Sequence, residues 1–151
     1  MKHQIIRTNR QRIALANTSR IPTDELVAAI KFLAKQTDLD RTVIHVKKHG
    51  RARRWGLAYR AIPSIANLDG LRRHEWRHLI TMSDHYAWSI VNGELKRPKM
   101  IRLNSEIFHT LAHEARHIAD YKHHGRLRGR GWEDRANAFA AGMVRKWEAA
   151  G

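Results

Sequence analysis

The sequence predicts an α+β domain in which a small β-sheet packs against a long helix and a further helix ends the chain. Three observations predict this class. The 151 residues suit one compact domain, and a hydrophobic content of 42% is enough for a folded core. The middle of the chain carries short extended runs separated by turns. The last third carries two long apolar stripes at helical spacing.

The chain opens with a basic, polar segment. We interpret residues 1–20 as a loose basic N-terminal arm and residues 21–151 as a single domain. A first helix is predicted over residues 21–36, because Pro22 stands at its start and apolar residues then repeat at helical spacing. These apolar residues are Leu26, Ala29, Ile30 and Leu33.

Two strands are predicted after the first helix. Residues 42–49 alternate in a way that is typical of a strand, and residues 55–65 form a second extended run. The five residues between them, 50–54, are a basic turn. Residues 67–84 are polar and predict no single element.

A β-hairpin is predicted within residues 85–104. Its signal is Asn92-Gly93, a dipeptide that favours a tight turn between two extended runs. Pro98 in the second arm is best tolerated at the edge of a sheet. We therefore interpret the final part of this segment, residues 100–104, as an edge strand.

The last third of the chain predicts two helices. Residues 104–125 carry a continuous apolar stripe, and Gly125 is well placed to end that helix. Residues 126–131, with the sequence RLRGRG, are predicted to form a flexible basic loop. The final helix is predicted over residues 132–151, with seven apolar residues on one stripe.

Composition narrows the functional classes. The absence of cysteine excludes disulfides, cysteine-ligated zinc and a cysteine nucleophile. Arginines interrupt the apolar residues near the N-terminus, and no run approaches the roughly 18 apolar residues of a membrane helix. We therefore expect a cytoplasmic protein without membrane association. The net charge of +15 predicts contact with polyanions, and the oligomeric state stays open.

The pattern His-Glu-x-x-His occurs twice, as HEWRH at residues 74–78 and as HEARH at residues 113–117. Residues four apart on a helix differ by about 40° in direction, so both imidazoles can reach one metal ion. The glutamate between them can then take a proton from a water on that ion. A third ligand must come from elsewhere in the chain.

The second copy lies in a segment that predicts a stable helix, followed by a short loop and a helix with acidic residues. In projection, Glu133 lies about 60° from the centre of the final helix's apolar stripe, whereas Asp134 lies about 160° away. Glu133 can therefore turn inward, and Asp134 should face solvent. Asn137, one turn after Glu133, is positioned to orient a ligand histidine.

The first copy has a weaker context. If it were helical, its apolar neighbours would spread over about half of the helix circumference, and both histidines would point away from them. Such a helix would not be anchored to a core. We interpret the three motif residues of this copy as a solvated polar segment: His74, Glu75 and His78.

The segments MIRLN, TLAHEARH and WEDRANAFAAGM resemble a minimal zinc-peptidase domain of the gluzincin type. They are most similar to the ImmA/IrrE-type small metallopeptidases of bacteria and phages, whose HExxH is followed by a helix carrying E-x-x-A-[ND]-x-F-A. The matching residues lie within 100–144: His113, Glu114, His117, Glu133, Ala136, Asn137, Phe139 and Ala140.

This resemblance implies a zincin-like fold that hydrolyses peptide bonds in a protein or peptide substrate and holds one Zn²⁺ per chain. The roles that it implies are zinc binding by His113, His117 and Glu133, and general-base catalysis by Glu114. The function expected from the motif is therefore that of a zinc metallopeptidase.

Other zincin patterns offer a different third ligand. HEARHIADYKH approaches the metzincin pattern HExxHxxGxxH, in which His123 would bind the metal. Asp120 stands where that pattern needs glycine for a sharp turn, and in a continuous helix His123 points about 240° away from His117. SprT-like peptidases use a histidine that sometimes precedes a glycine, as in His124-Gly125, although its separation from His117 is short.

The basic residues are concentrated around two predicted turns. One group surrounds the turn after the first strand: Lys47, Lys48, Arg51, Arg53 and Arg54. The other lines the loop between the last two helices, where we predict weak contacts with DNA or an acidic protein: Arg126, Arg128 and Arg130. A rival hypothesis is a basic nucleic-acid-binding module on a catalytically inactive zincin scaffold.

Overall fold

The computed structural model describes residues 2–8, 10–48, 56–84, 89–91, 94–96, 100–125 and 129–151, with the backbone alone described for 89–91 and 94–96. These residues form an α+β fold with a five-stranded mixed sheet, a separate two-stranded hairpin and three α-helices. The α+β prediction is confirmed, and the main sheet is larger than the small sheet that we expected.

Five strands build the main sheet: β1 (Gln4–Thr8), β2 (Gln11–Asn17), β3 (Thr42–Lys47), β4 (Gly56–Tyr59) and β5 (His78–Ser83). Their order across the sheet is β1-β2-β3-β5-β4. The three central strands run parallel to one another, whereas β1 and β4 are antiparallel to their neighbours. β4 is therefore an edge strand of this sheet.

The prediction that residues 1–20 form a loose arm was wrong, because β1 and β2 lie within this segment. Ile13 and Leu15 face the main core, and Ala14 packs into a second cluster on the opposite side of the sheet. A strand with both faces buried reads as a continuous apolar run instead of an alternating one. The arginines around the run IALA hid that signal.

The helices are α1 (Thr23–Ala34), α2 (Ser105–His124) and α3 (Arg130–Ala150). The Asn104 side chain caps α2 by accepting a hydrogen bond from the backbone N–H of Ile107, at 2.9 Å. Gly125 ends α2 with a left-handed φ of 69°, as its position in the sequence predicted. α3 begins two residues earlier than predicted, so Arg130 lies in its first turn and not in the loop.

The apolar faces of the helices enclose the main core against the sheet. α2 packs over β4 and β5, and α3 packs along α2. Trp147 of α3 stacks on Phe108 of α2 with 4.9 Å between ring centroids, and it meets Phe32 of α1 edge-on. This packing anchors the C-terminal half of α3.

The predicted hairpin is confirmed by the antiparallel pair β6 (Ser89–Val91) and β7 (Glu94–Lys96). The Asn92-Gly93 turn and Pro98 lie outside the described residues. Residues 100–104 do not form the predicted edge strand. Instead, Ile101 is buried and its N–H donates to the carbonyl oxygen of Arg20 at 3.1 Å, which ties this segment to the end of the N-terminal region.

Within the described part of the chain, no helix has both the length and the apolar character needed to cross a bilayer.

Candidate metal centre

Three side chains from α2 and α3 converge on one point. His113 Nε2 and His117 Nε2, one helical turn apart, are separated by 3.0 Å. The carboxylate of Glu133 bridges them, with one oxygen 3.1 Å from His113 Nε2 and the other 3.0 Å from His117 Nε2. Among the described residues, this is the one group of acidic and histidine side chains gathered closely enough to hold a metal ion.

The spacing of these atoms fits a small tetrahedral ion. Bonds of about 2.0–2.2 Å to nitrogen and oxygen put two ligands of a tetrahedral zinc roughly 3.3 Å apart. The separations of 3.0 to 3.1 Å in this group are close to that value. Two imidazoles and one carboxylate are also a ligand set that catalytic zinc sites use, with a fourth position left for water or substrate.

The group is buried on one side and open on the other. His117 is only 1% exposed, whereas the side chain of Glu133 is 44% exposed. Glu114 is 7% exposed and lies beside the group, with one carboxylate oxygen 3.8 Å from His113 Nε2. Glu114 therefore has the position of a neighbouring acid–base group, while the open side leaves room for a substrate.

β4 approaches this site closely because it carries a glycine. A Cβ atom at Gly56 would lie 2.7 Å from Cγ2 of Thr110 and 3.0 Å from Cγ of Glu114. Contacts this short force neighbouring atoms to move, and Thr110 and Glu114 sit one turn apart on the same face of α2. Gly56 thereby lets the edge strand run directly alongside the candidate general base.

We expect Gly56→Ala to destabilise the fold by about 1–3 kcal/mol, as overpacked sites do, and to lower turnover by displacing Glu114. Gly142→Ala is the matched control. It lies inside α3 with its nearest atom 3.8 Å away, so it should stabilise the helix by about 0.5–1 kcal/mol. Urea unfolding and initial rates measure both effects. Equal stability and turnover for Gly56→Ala and the wild type would contradict the close approach.

A buried carboxylate ties the first turns of α3 to α2. The Asp120 carboxylate is buried, and one of its oxygens accepts from Arg116 Nε at 3.0 Å and lies 3.5 Å from Nη2 of Arg135 on α3. The guanidinium of Arg135 also lies over the ring of Trp132. These contacts hold the first turns of α3, which carry Glu133, against α2. The Arg116–Asp120 ion pair could be predicted from the sequence, because the two residues are four apart on one helix. The contact between Arg135 and Asp120 joins two helices, and no sequence spacing predicts it.

The other histidines of α2 stay outside the metal group. α2 continues through His124, so the sharp turn that the metzincin pattern needs is missing, and His123 is exposed. The His124 ring packs against Trp132 with 5.1 Å between centroids. Burial lowers the pKa of His109, and the nearby His113 lowers it further. Neither alternative third ligand therefore joins His113 and His117.

The first HExxH copy does not lie on one helix. His74 and Glu75 belong to a short 3₁₀ helix, and His78 begins β5. His74 is exposed, as expected, but His78 is buried, so the solvated interpretation of His78 was wrong. Its Nδ1–H donates to the carbonyl oxygen of Arg60 at 2.8 Å, and burial lowers its pKa. His78 is buried because the last residue of the motif is also the first residue of the strand HLITMS, most of which is buried.

The remaining predicted positions have mixed outcomes. Asp134 is exposed, which confirms its predicted orientation. Asn137 is also exposed, and its role in orienting a ligand histidine stays a prediction. Arg130, Lys47 and Lys48 are exposed. The other basic residues of the two clusters lie outside the described residues: Arg51, Arg53, Arg54, Arg126 and Arg128.

No family model matches the chain, and neither a curated protein nor a solved structure is significantly similar to it. The motif residues and the geometry of the site that they form therefore carry the functional evidence for this protein.

Proposed function

We propose that this protein is a zincin-like metallopeptidase of the gluzincin type, which hydrolyses peptide bonds with one zinc ion per chain. The observation that supports this most directly is the convergence of two histidines and one glutamate beside a buried carboxylate that is not part of the ligand set. In this proposal His113, His117 and Glu133 hold the metal, and Glu114 acts as an acid–base group beside them.

The bound zinc would supply Lewis acidity toward a water molecule and toward the scissile carbonyl. Glu114 would accept a proton from the attacking water and donate it to the leaving amine, so that one carboxylate serves both proton transfers. Its burial supports this role, because a carboxylate shielded from bulk solvent can keep the proton that it takes from the attacking water until it donates that proton to the leaving amine. Burial of His117 would hold its ring in the orientation that the metal needs.

The edge strand supports a peptide as the substrate. Among the described strands of the main sheet, β4 lies at one end of the strand order and pairs with β5. An extended peptide can add to a sheet at such a strand through main-chain hydrogen bonds. Gly56 brings this edge next to Glu114. A peptide on β4 would therefore pass the candidate general base in an extended conformation.

Glu133→Ala should weaken zinc binding by more than about 100-fold, because loss of groups that merely orient a ligand already costs roughly 10- to 100-fold. Asp134 is the exposed acidic residue that follows Glu133, and it serves as the control. Asp134→Ala should leave the zinc affinity unchanged. Competition with a chelating dye measures both affinities. If His123→Ala released zinc and Glu133→Ala did not, the metzincin pattern would replace the ligand set proposed here.

A second candidate function is favoured by the charge. The net charge of +15 exceeds what solubility needs, and it suits a nucleic-acid-binding module on an inactive scaffold. The same charge also suits a peptidase whose substrate is acidic or bound to DNA. The two functions predict different results: a peptidase should show hydrolysis that depends on Glu114, and a binding module should show no such hydrolysis.

We expect the protein to bind duplex DNA or acidic peptides weakly and without sequence preference, with affinity that falls steeply between low and moderate salt. Replacing Arg126, Arg128 and Arg130 with Ser should reduce the salt dependence by up to about three charges and leave the zinc content unchanged. Fluorescence anisotropy at several salt concentrations measures this. Failure to bind either probe at low salt would exclude the polyanion contact. Tight DNA binding with no Glu114-dependent hydrolysis would favour the binding module.

A further inference from the structure

Apolar packing fixes little of the first turns of α3, the segment that carries Glu133. The side chains of residues 130–135 are all exposed or half-buried, and the first buried residue of this helix is Ala136. Gly129 precedes the helix and offers no side chain to cap its N-terminus. The position of Glu133 beside the two histidines of the metal group therefore depends on polar and aromatic contacts.

Asp120 of α2 supplies the polar contacts. Its side chain is only 4% exposed, and its oxygen Oδ1 accepts from Arg116 Nε at 3.0 Å and lies 3.5 Å from Arg135 Nη2. The other oxygen, Oδ2, is buried and has no hydrogen-bond partner among the described residues. Because one buried carboxylate attracts both guanidinium groups, loss of its charge would weaken the contact within α2 and the contact between the two helices together.

The same two arginines also contact aromatic rings of α3. The guanidinium carbon of Arg116 lies 5.3 Å from the centre of the Phe139 ring, and that of Arg135 lies 5.0 Å from the centre of the Trp132 ring. A guanidinium over the face of an aromatic ring is attracted to it. These rings directly precede and follow Glu133 along α3, so Asp120 orients cations that contact the helix on both sides of this ligand.

We infer that Asp120 and Arg135 are positioning residues, which hold Glu133 against the two histidines of the metal group before zinc binds. Asp120 lies one helical turn beyond His117, so its contact with Arg135 joins the two helices next to that group. Both histidines belong to α2, whereas Glu133 has to be brought from α3. A ligand that is already in place costs less to order when the metal binds. This inference rests on the proposed function and names residues that set the metal affinity of its site.

Zinc affinity, measured by competition with a chelating dye, reports the effect of positioning. Asp120→Asn keeps the shape of the side chain but removes its charge, and it should weaken zinc binding by about tenfold or more, as the loss of groups that support metal ligands does. Arg135→Gln should weaken it by up to about fivefold, because the Arg135 side chain is half-exposed and exposed ion pairs contribute little. Wild-type affinity in Asp120→Asn would overturn the inference.

Asp38→Asn is the matched control. It removes the charge of a carboxylate that pairs with Lys122 of α2 at 3.0 Å, instead of one that pairs with a residue of α3. The change should therefore leave the zinc affinity at the wild-type value. An equal loss of affinity in Asp38→Asn and Asp120→Asn would show that any weakened ion pair of α2 disturbs the site, and it would reject a specific role for Asp120.

A double-mutant cycle shows whether Asp120 acts through Glu133. In the Glu133→Ala background both remaining ligands lie on α2, so Asp120→Asn should change the residual zinc affinity by less than about twofold. In the wild-type background the same substitution should cost about tenfold or more. A role of Asp120 in the structure of α2 alone would lower the affinity by the same factor in both backgrounds, and that result would reject positioning.

Hydrogen exchange of the zinc-free protein separates this inference from the proposed function. Asp120→Asn should speed amide exchange at residues 134–138 by about tenfold, and it should leave residues 143–147, which the packing of Trp147 anchors, unchanged. Failure of the wild type to bind zinc would reject the proposed function, whereas faster exchange in the same sample would still support the positioning of Glu133. Unchanged exchange at residues 134–138 would overturn the positioning whether or not zinc binds.

Discussion

Glu114→Gln should lower peptide hydrolysis by about 10²- to 10⁴-fold, the usual contribution of a positioned general base, while the zinc content stays at one per chain. The amide keeps the shape and the burial of the carboxylate but cannot accept the proton of the attacking water. Glu114 lies 3.8 Å from His113 Nε2 and outside the ligand group, so its replacement leaves all three ligand atoms in place.

The measurement pairs initial rates on a quenched peptide pool with metal analysis of the same sample. Glu106→Gln, an exposed glutamate in the first turn of α2, is the matched control and should keep the wild-type rate. Loss of zinc from Glu114→Gln would mean that Glu114 binds the metal. Full activity with full zinc would remove Glu114 from the mechanism.

His117→Ala should abolish stoichiometric zinc binding, because two ligands remain and neither can close the site. His113→Ala should have the same effect. His117 is almost fully buried, so its removal also leaves a cavity that costs stability. Loss of zinc therefore has to be separated from general destabilisation.

The first HExxH copy supplies both controls. His78 is buried but lies outside the metal group, so His78→Ala should lower the melting temperature and keep the zinc. His74 is exposed, and His74→Ala should change neither. Metal content after dialysis, measured together with thermal unfolding, distinguishes the four variants. Zinc loss from His74→Ala equal to that from His117→Ala would reverse the choice between the two copies.

The sequence was most informative where local signals and packing agree. α2 has a capping asparagine, a continuous apolar stripe and a terminal glycine, and its bounds match the prediction to within one residue at each end. Because the α2 motif is on a regular helix, its spacing alone brings His113 and His117 together. The inward turn of Glu133 was likewise readable from the apolar stripe of α3.

Elements that depend on partners distant in the sequence were harder to predict. β2 lies inside the sheet because β1 and β3 flank it, and its two faces contact the main core and the second cluster. β3 lies 25 residues farther along the chain, from Asn17 to Thr42. No local sequence pattern predicts that β2 pairs with β3. The same limit applies to His78, whose burial comes from β3, β4 and the Arg60 carbonyl. Charged residues next to both strands made them look solvated.

The order of elements along the chain has a consequence for biosynthesis. All five strands of the main sheet end by Ser83, whereas the candidate ligands lie between His113 and Glu133. At synthesis rates of about 5–20 residues per second, the sheet leaves the ribosome roughly 2–10 s before the last ligand. During that interval the sheet face that α2 later covers is open to chaperones. In the proposed function, zinc binding would therefore follow any strand pairing that occurs during synthesis, and it would mark a chain that has been synthesised at least through the first turn of α3.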